Sequence, residues 1–334
     1  MTAAVLGAGS WGTTFAQVLT DAGTPVTLWC RRAELAATIN AEHESPAYLP
    51  GVALPAAIRA TVDPAEALSG TEIVVLAVPA QSLRQLLTDW QDLLPPEAML
   101  VSLIKGIELG SGSRMSEVIA EITGAGPERI AVISGPNLAP EIAARQYCAT
   151  VAACADEAVA GQLQKACHTA YFRTYTNPDV IGCELGGAVK NVIAIAVGIA
   201  AGMGLGDNTR AMLITRGLAE IARLGTALGA DQHTFSGLAG MGDLVASCSS
   251  PLARNRALGE KLGRGMPLAE VLASTTQTVE GVKSSESVLQ LARQHGVEMP
   301  ITEVIAGVMH HGLEIGEAVL LLASRSAKPE RYGI

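Results

Sequence analysis

The sequence predicts an α/β protein in which a doubly wound, mainly parallel sheet is followed by an all-α domain. The chain has 334 residues, which is enough for about two domains. Short apolar runs alternate with helical stretches in the first half. After Pro178 strand signals stop, and helical periodicity continues to about Ser326. We therefore expect the boundary near residues 177–183, with domains over 1–180 and 181–334.

The predicted strands are short and almost continuously apolar, which is typical of a parallel sheet covered by helices on both faces. In order, they cover residues 3–6, 25–29, 73–78, 99–103, 131–133 and 150–153. Residues 171–176 are a candidate for one last strand.

Composition and charge exclude several function classes. Hydrophobic residues make up 49% of the chain and charged ones 16%, so disorder is excluded as the dominant state. Lys and Arg number 23 against 32 Asp and Glu, which gives a net charge of −9. This balance disfavours a generally basic nucleic-acid binder, and an anionic ligand needs a local cationic cluster.

The cysteine, histidine and apolar patterns favour a protein without a metal site or a membrane span. Six cysteines are scattered with no C-x-x-C pair, and neither they nor the six histidines have zinc-ligand spacing. The N-terminus lacks the pattern of a signal peptide. The longest uncharged apolar run, residues 192–206, is shorter than the roughly 20 residues of a span. We expect a cytoplasmic protein. The sparsely charged stretch 186–206 indicates burial in a dimer interface as much as burial in the protein's own core, and a homodimer is expected because it is the commonest assembly.

A glycine motif follows the first predicted strand and opens a helix. Gly7 permits a tight turn, Gly9 lets a pyrophosphate approach the backbone, and Gly12 lets helix and strand pack closely. Ser10 and Trp11 lie at the start of the helix, whose amides and dipole attract phosphate. This context predicts a Rossmann-like dinucleotide-binding domain, and a purely structural glycine turn is the alternative.

The end of the second predicted strand indicates which dinucleotide binds. The sequence there is Cys30, Arg31 and Arg32, where an acidic residue is expected for the ribose hydroxyl of NAD. A guanidinium grips a 2′-phosphate with two hydrogen bonds, so NADP(H) is favoured and NAD(H) is possible. Arg31 is the preferred contact because it follows the strand more closely. A solvated surface charge is the alternative for one of the two.

Lys190 is the leading candidate for a catalytic residue. On a helix it shares a face with Gly186 and Gly187. These small neighbours leave its ammonium uncovered, in an apolar setting without a nearby carboxylate, which suits proton transfer. The alternative is a surface lysine, but the two glycines then weaken the helix without a structural gain.

Three further segments offer polar groups. Lys105 follows the carboxyl end of a predicted strand, where open α/β sheets bind ligands. The turn from Gly135 to Asn137 offers amides, although a structural proline loop explains it nearly as well. Asp243 ends a glycine-rich loop, where it orients a lysine, takes a substrate hydroxyl or is a plain turn residue.

A predicted helix places Arg254 close to backbone amides. Ser250 as N-cap and Pro251 as first helical residue start this helix. Arg254 then lies one turn into it, near the positive end of the dipole, where an arginine suits a phosphate monoester. An ordinary capped helix with solvent-facing arginines explains the segment equally well.

Taken in order along the chain, several blocks resemble the bacterial NAD(P)-dependent glycerol-3-phosphate dehydrogenases. The similarity runs from Gly7 to beyond Glu280. Its most specific parts are residues 105–108, 135–136, 184–191, 237–243 and 254–256. The resemblance implies reversible hydride transfer between dihydroxyacetone phosphate and sn-glycerol 3-phosphate, which supplies glycerol 3-phosphate for glycerophospholipid synthesis.

The resemblance also implies roles for individual residues. Lys190 resembles the general acid/base, Lys105 lies beside the reacting carbonyl, and Asp243 completes the catalytic site. The residues similar to substrate contacts are Lys105, Gly135, Asn137, Lys190, Asn191, Asp243, Ala253, Arg254 and Asn255. Those similar to cofactor contacts are Ser10, Trp11, Arg31, Lys105, Ala139, Arg254, Val279 and Glu280, in addition to Gly7, Gly9, Gly12 and Arg32 from the strand ends. Four residues depart from the commonest family pattern, namely Asn137, Leu138, Pro140 and Ala253.

Two other functions fit parts of the sequence. One is another two-domain reductase, of the hydroxyacid or ketopantoate type. The pair Arg254 and Asn255 argues against it, because a carboxylate substrate needs its cation nearer the reacting carbon. The other is a non-catalytic NADP(H)-binding sensor, which keeps the glycine motif but has no need of Lys190 together with Asp243.

Overall fold

The computed structural model describes residues 1–274, 279–326 and 329–330, which form two compact units. The first comprises residues 1–104 and 115–180, and the second comprises residues 105–114 and the described residues from 181 onward. The predicted division at 1–180 and 181–334 differs from this in one place. The segment 105–114 groups with the helical unit because its Ile107 is fully buried in the core of that unit.

The first unit is built on a mainly parallel sheet. Its strands are β1 (Ala3–Leu6), β2 (Val26–Trp29), β3 (Glu44–Ser45), β4 (Leu49–Ala53), β5 (Arg59–Thr61), β6 (Ile73–Leu76), β7 (Met99–Ser102), β8 (Ile130–Ser134), β9 (Cys148–Cys154) and β10 (Phe172–Asn177). Eight of them form one sheet in the order β10-β9-β8-β7-β6-β1-β2-β5, and β3 pairs with β4 in an antiparallel hairpin. The order turns back at β1, which makes the sheet doubly wound.

All seven apolar runs that the sequence predicts as strands are strands, which confirms the α/β class of this unit. The prediction missed β5 and the hairpin, because these strands are short or carry few apolar residues. It also missed that β9 runs antiparallel to β8, whereas the other neighbouring pairs in the sheet are parallel. An apolar run shows that a strand is buried but not in which direction it runs.

Helices cover both faces of the sheet. They are α1 (Ser10–Asp21), α2 (Ala33–Glu42), α3 (Pro64–Leu68), α4 (Leu83–Trp90), α5 (Met115–Thr123), α6 (Ala139–Ala143) and α7 (Glu157–Cys167). Alternate residues of β1 point to opposite faces: Val5 lies in the same core as Phe15, and Leu6 lies in the core that contains Leu83. Burial on both faces explains why the central strands are continuously apolar.

The described part of the second unit is helical around one long central helix. Its helices are α8 (Val180–Gly202), α9 (Asp207–Ala227), α10 (Asp243–Ser249), α11 (Arg254–Gly263), α12 (Leu268–Ala273), α13 (Glu280–Gln294), α14 (Pro300–His310) and α15 (Ile315–Ala323). By length and composition α8 is the one described helix apolar enough to cross a membrane, and 89% of its apolar window is buried inside the structure. This helix begins 12 residues before the predicted apolar run 192–206 and ends at Gly202, before that run does. Its additional first part contains buried Glu184 and Lys190.

Glycines let α8 and α11 touch backbone to backbone. A Cβ added at Gly198 or Gly202 would lie closer than 3.0 Å to a carbonyl oxygen of α11. A Cβ at Gly259 or Gly263 would meet a carbonyl oxygen of α8 in the same way. Only glycine fits such a contact without displacing the partner helix. The contact fixes the start of α11, which carries two of the predicted substrate residues, against the central helix.

Candidate active site

Asp243 joins the two lysines that the sequence predicts to be catalytic. Its Oδ1 accepts a hydrogen bond from Nζ of Lys190 at 2.6 Å, and its Oδ2 accepts one from Nζ of Lys105 at 2.6 Å. The Asp243 side chain is 2% exposed, that of Lys190 is 9% and that of Lys105 is 16%. Two ammonium groups and one carboxylate leave a net charge of +1 in a nearly closed cluster. A buried positive charge of this kind stabilises an oxyanion strongly.

The turn before α10 brings Asp243 to the central helix. Residues Leu238–Gly242 form a π-helical turn, a rare conformation that is frequent at functional sites. A Cβ at Gly186 would lie closer than 3.0 Å to the carbonyl oxygen of Ala239, so this glycine lets the turn rest on α8. The sequence interpretation of Gly186 was therefore wrong. It does not leave the Lys190 ammonium uncovered but lets a carboxylate reach it.

Ser247 is a member of the cluster that the sequence reasoning did not assign. Its Oγ accepts a hydrogen bond from Nζ of Lys190. Ser247 is four residues after Asp243 on α10 and 4% exposed, so both side chains face the same lysine. The sequence does show that Asp243 and Ser247 are four residues apart and can share one face of a helix. This spacing indicates a site only once it is known that Lys190 packs against that face.

Burial perturbs Lys105. It lowers the pKa of Lys105 from 10.5 to about 8, while the charge of Asp243 opposes the change and that of Lys190 adds to it. Lys105 is thus a weaker base than an ordinary lysine although it contacts a carboxylate. An amine whose pKa lies near the working pH is suited to chemistry on a neighbouring oxygen.

Asn191 and Asn255 form a chain of amides from the lysine segment to α13. The Asn191 side chain donates from Nδ2 to the carbonyl oxygen of Lys105 at 3.4 Å and accepts from Nδ2 of Asn255 at 2.9 Å. The Oδ1 of Asn255 in turn accepts from the backbone N–H of Gly281 at 3.0 Å. This chain holds two predicted substrate residues at a fixed place relative to Lys105.

Arg254 is the first residue of α11 and not one turn into it, so the predicted helix start was wrong. Ser250 and Pro251 lie in a turn closed by a hydrogen bond from Ala253 N–H to the Ser250 carbonyl. Proline is favoured at the second position of such a turn, which competes with its preference for a helix start. Burial lowers the pKa of Arg254, and the negative charge of Glu280 opposes this.

The residues around Arg254 lie at two helix starts. Ala253 is buried and is the N-cap of α11, and Val279 and Glu280 are the N-cap and the first residue of α13. The charge of Glu280 acts on Arg254. The structure therefore places three predicted cofactor residues, Arg254, Val279 and Glu280, on neighbouring elements of the second unit.

In the first unit the glycine motif has the predicted geometry. Gly7 has φ +125°, and a Cβ there would lie closer than 3.0 Å to the carbonyl oxygen of Ala77. A Cβ at Gly12 would lie closer than 3.0 Å to the carbonyl oxygen of Gly7. At Gly9 nothing lies within 4 Å of an added Cβ. The open space beside Gly9, at the uncapped start of α1, fits the pyrophosphate of a dinucleotide.

The arginines after β2 differ in their surroundings. Arg31 is exposed. The guanidinium carbon of Arg32 lies 5.5 Å from the ring centroid of Tyr48. Ser10, the first residue of α1, donates from its hydroxyl to the Tyr48 carbonyl at 3.0 Å. Trp11 packs edge-on against Phe15, with ring centroids 5.6 Å apart.

The turn after β8 holds the remaining predicted residues of the first unit. Gly135 has φ +145°, and a Cβ there would lie 3.1 Å from Cα of Thr150. Asn137 donates from Nδ2 to the Thr150 hydroxyl at 3.1 Å, and its buried Oδ1 has no hydrogen-bond partner among the described residues. Ala139 is buried, and its carbonyl accepts from the Thr14 hydroxyl at 3.4 Å.

Comparison with known proteins identifies the family. Residues 2–160 match the model of the NAD-dependent glycerol-3-phosphate dehydrogenase N-terminus, and residues 179–320 match that of its C-terminus. The chain belongs to this family. It is 64% identical over 329 residues to glycerol-3-phosphate dehydrogenase (NAD(P)+) of Streptomyces griseus, covering 98% of both chains. It is 62% identical over 332 residues to the protein of the same name from Thermobifida fusca, covering 99% of both.

A solved structure agrees with this assignment. Glycerol-3-phosphate dehydrogenase from Coxiella burnetii is 38% identical and superposes with a TM-score of 0.93 over 97% of this chain and 99% of that chain. The resemblance noted in the sequence is thus confirmed, and so are the oxidoreductase class and the NAD(P) dependence that it implied. The hydroxyacid or ketopantoate reductase and the non-catalytic sensor are set aside by the same finding.

One ion pair in the second unit was not predicted and bears on the dehydrogenase site. Arg114 donates from Nη1 to Oε2 of Glu184 at 2.7 Å, with the side chains 13% and 3% exposed. Arg114 also forms an isolated antiparallel bridge with Ile107, and the Ile107 carbonyl accepts from the Ser287 hydroxyl at 3.2 Å. These contacts attach the segment that begins with Lys105 to α8 and α13. No local sequence pattern indicates the ion pair, because Arg114 and Glu184 are 70 residues apart.

Proposed function

We propose that this dehydrogenase interconverts dihydroxyacetone phosphate and sn-glycerol 3-phosphate with NAD(P)(H), and that it supplies glycerol 3-phosphate for glycerophospholipid synthesis. The observation that carries the proposal is the buried carboxylate of Asp243 between the ammonium groups of Lys190 and Lys105. Reduction of a ketone needs a proton donor and a positive charge at the same oxygen, and this cluster offers both.

The cluster residues have separate roles in the reduction. NAD(P)H, when bound, supplies the hydride that arrives at the ketone carbon. Lys190 transfers a proton from Nζ to the developing alkoxide oxygen and is then reprotonated from solvent. Lys105 stabilises that oxygen by its charge. Asp243 holds both ammonium groups in position, and in the oxidative direction Lys190 takes the proton back.

Arg254 and Asn255 hold the substrate phosphate in this proposal. Both begin α11, where backbone amides and the helix dipole also favour an anion. Asn191 links Asn255 to the lysine segment, so the phosphate end and the carbonyl end of the substrate are fixed to one scaffold. Ala253 offers no hydroxyl, so phosphate binding falls to its neighbours. Gly135 and Asn137 are the proposed substrate contacts from the first unit.

We also propose which residues hold the dinucleotide cofactor. Gly7, Gly9 and Gly12 with Ser10 and Trp11 would hold the pyrophosphate at the start of α1. The residues Arg31, Arg32, Lys105, Ala139, Arg254, Val279 and Glu280 would complete the site. Arg31, which is exposed after β2, would contact a 2′-phosphate, and we therefore propose a preference for NADP(H) over NAD(H).

We also propose a cytoplasmic homodimer in which residues 1–180 bind the cofactor and residues 181–334 bind the substrate. Support for the dimer comes from large apolar side chains exposed in the helical unit, such as Met212 at 54% and Leu320 at 69%. Light scattering coupled to size exclusion gives the mass in solution, and a monomer at micromolar concentration would contradict this part.

The experiment that tests the function is a spectrophotometric assay. Purified protein is mixed with dihydroxyacetone phosphate, and the loss of NADPH and of NADH absorbance is followed separately. We expect rapid oxidation of the reduced cofactor with dihydroxyacetone phosphate, and no oxidation of it with ketopantoate or simple keto acids. Lys190→Ala should lower turnover by orders of magnitude and leave the calorimetric Kd for NADPH within about twofold. Absence of oxidation with either cofactor, or near-normal turnover of Lys190→Ala, would refute the proposal.

A further inference from the structure

The antiparallel hairpin formed by β3 and β4 carries an aromatic residue to the cofactor end of the sheet. Tyr48 lies in the turn between the two strands, and its N–H donates to the Ser45 carbonyl at 3.0 Å. Its ring is half-buried and packs against the same core as Trp11. The hydrogen bond from the Ser10 hydroxyl to the Tyr48 carbonyl ties this turn to the start of α1. Tyr48 is therefore fixed on both its backbone and its ring.

Arg32 stacks on this fixed ring. Its guanidinium carbon is 5.5 Å from the Tyr48 centroid, within the distance at which a cation and an aromatic face attract. Arg32 is exposed and is the N-cap of α2, with extended backbone and no side-chain capping bond. A guanidinium held over a ring through its carbon still has N–H groups that can donate to a phosphate. An exposed arginine that is not ordered beforehand loses side-chain entropy when it binds a phosphate. The contact with the Tyr48 ring orders Arg32 before the cofactor arrives, so this loss on binding is smaller.

We propose that Tyr48 is a positioning residue for cofactor choice: it holds Arg32 in the orientation that grips the 2′-phosphate of NADP(H) together with Arg31. This inference rests on the proposed function, because it concerns the dinucleotide that the enzyme uses. Tyr48 acts through Arg32 and adds nothing for a cofactor without the 2′-phosphate. Its effect is thus specific to NADP(H), whereas loss of the hairpin fold would affect NAD(H) as well.

The chain offers a matched control for the stacking itself. On the edge strand β10, the guanidinium carbon of Arg173 lies 5.4 Å from the Tyr175 ring centroid, and both residues are exposed. This pair has the same chemistry and nearly the same distance as Arg32 and Tyr48. Tyr175→Ala removes a stack of the same kind at a place that the proposal does not involve.

The test measures binding as well as turnover. Calorimetry gives the Kd of NADPH, NADH and adenosine 2′,5′-bisphosphate for wild type, Tyr48→Ala, Tyr48→Phe and Tyr175→Ala. We expect Tyr48→Ala to weaken NADPH and the bisphosphate by about two- to fivefold and to leave NADH unchanged. The KM for NADPH should rise by the same factor at unchanged kcat. Tyr48→Phe keeps the ring and should behave as wild type, as should Tyr175→Ala.

A double-mutant cycle with Arg32→Gln decides whether Tyr48 acts through Arg32. In the Arg32→Gln background, Tyr48→Ala should cause no further loss of NADPH affinity. Equal weakening of NADPH and NADH by Tyr48→Ala, or no effect on either, would overturn the inference. Failure of the proposed function is a separate result, because it would appear as absent turnover of dihydroxyacetone phosphate by the wild type.

Discussion

We expect the reduction of dihydroxyacetone phosphate to lose rate above about pH 8, as Lys105 loses its proton. Burial lowers the pKa of Lys105 from 10.5 to about 8, against the opposing charge of Asp243. The difference corresponds to about 3 kcal/mol against the ammonium form. About nine-tenths of Lys105 is then charged at pH 7 and about one-tenth at pH 9. The charge that stabilises the alkoxide therefore disappears within the range where the protein can be assayed.

The assay is kcat/KM for dihydroxyacetone phosphate at saturating NADPH between pH 7 and pH 10. Above pH 8 the value should fall toward tenfold per pH unit if only the charged form of Lys105 is active. A phosphate monoester has its second ionisation at about pH 6, so the substrate is almost entirely dianionic above pH 8, where the fall is expected. Circular dichroism at each pH shows that the fold is intact.

Two variants separate Lys105 from other groups. In Asp243→Asn the fall should begin at lower pH, because the carboxylate raises the pKa of Lys105. Lys105→Arg keeps its charge at every pH of the assay, so its lower activity should no longer fall above pH 8. A wild-type kcat/KM that stays constant to pH 9.5, or a fall that persists unchanged in Lys105→Arg, would refute the reasoning.

Three further predictions concern the helical unit. Gly186→Ala should destabilise the protein by about 1–3 kcal/mol in urea unfolding and lower kcat, because the new Cβ meets a carbonyl of the π-helical turn. Glu184→Gln removes the charge that pairs with Arg114 inside the structure, and Arg84→Gln removes the charge that pairs with Glu121 at the surface. The first substitution should lower the free energy of unfolding more than the second. Equal losses would contradict this. Burial raises the pKa of Glu220, on α9, from 4.5 to about 7. Between these two pH values the folded protein holds the proton of Glu220 and the unfolded chain does not, so the free energy of unfolding falls as pH rises from about 4.5 to 7. Glu220→Gln should remove this part of the pH dependence of urea unfolding.

The parts of the site that could be predicted are those that a local pattern determines. The tight turn at Gly7 and the close packing at Gly12 follow from spacing relative to one strand and one helix, and the structure has both contacts. The strands of the sheet were recognisable because burial on both faces leaves a continuous apolar run. Small neighbours on the helix drew attention to Lys190, but for a wrong reason, since Gly186 makes room for the turn before Asp243 and does not leave the ammonium uncovered.

The parts that could not be predicted depend on contacts between distant segments. Asp243 and Lys190 are 53 residues apart, and Ser247 is 57 residues from the same lysine. A carboxylate in a glycine-rich loop has many possible partners, and only the packing of that loop on α8 selects one. Arg254 shows the opposite case: its helix start was misjudged from local preference, because proline suits both a turn and a helix start.

The same burial explains both the unusual acidity of Lys105 and its suitability for catalysis. The protein as a whole carries a charge of −9, which gives no general attraction for a phosphate ester. Inside the lysine cluster, however, two cations share one anion, and because these side chains are largely buried, solvent screens the remaining charge poorly. That charge is costly to keep in the free protein, which is why the pKa of Lys105 is lowered. An oxyanion arriving beside it relieves the cost, so the interaction is stronger with the charged transition state than with the neutral ketone.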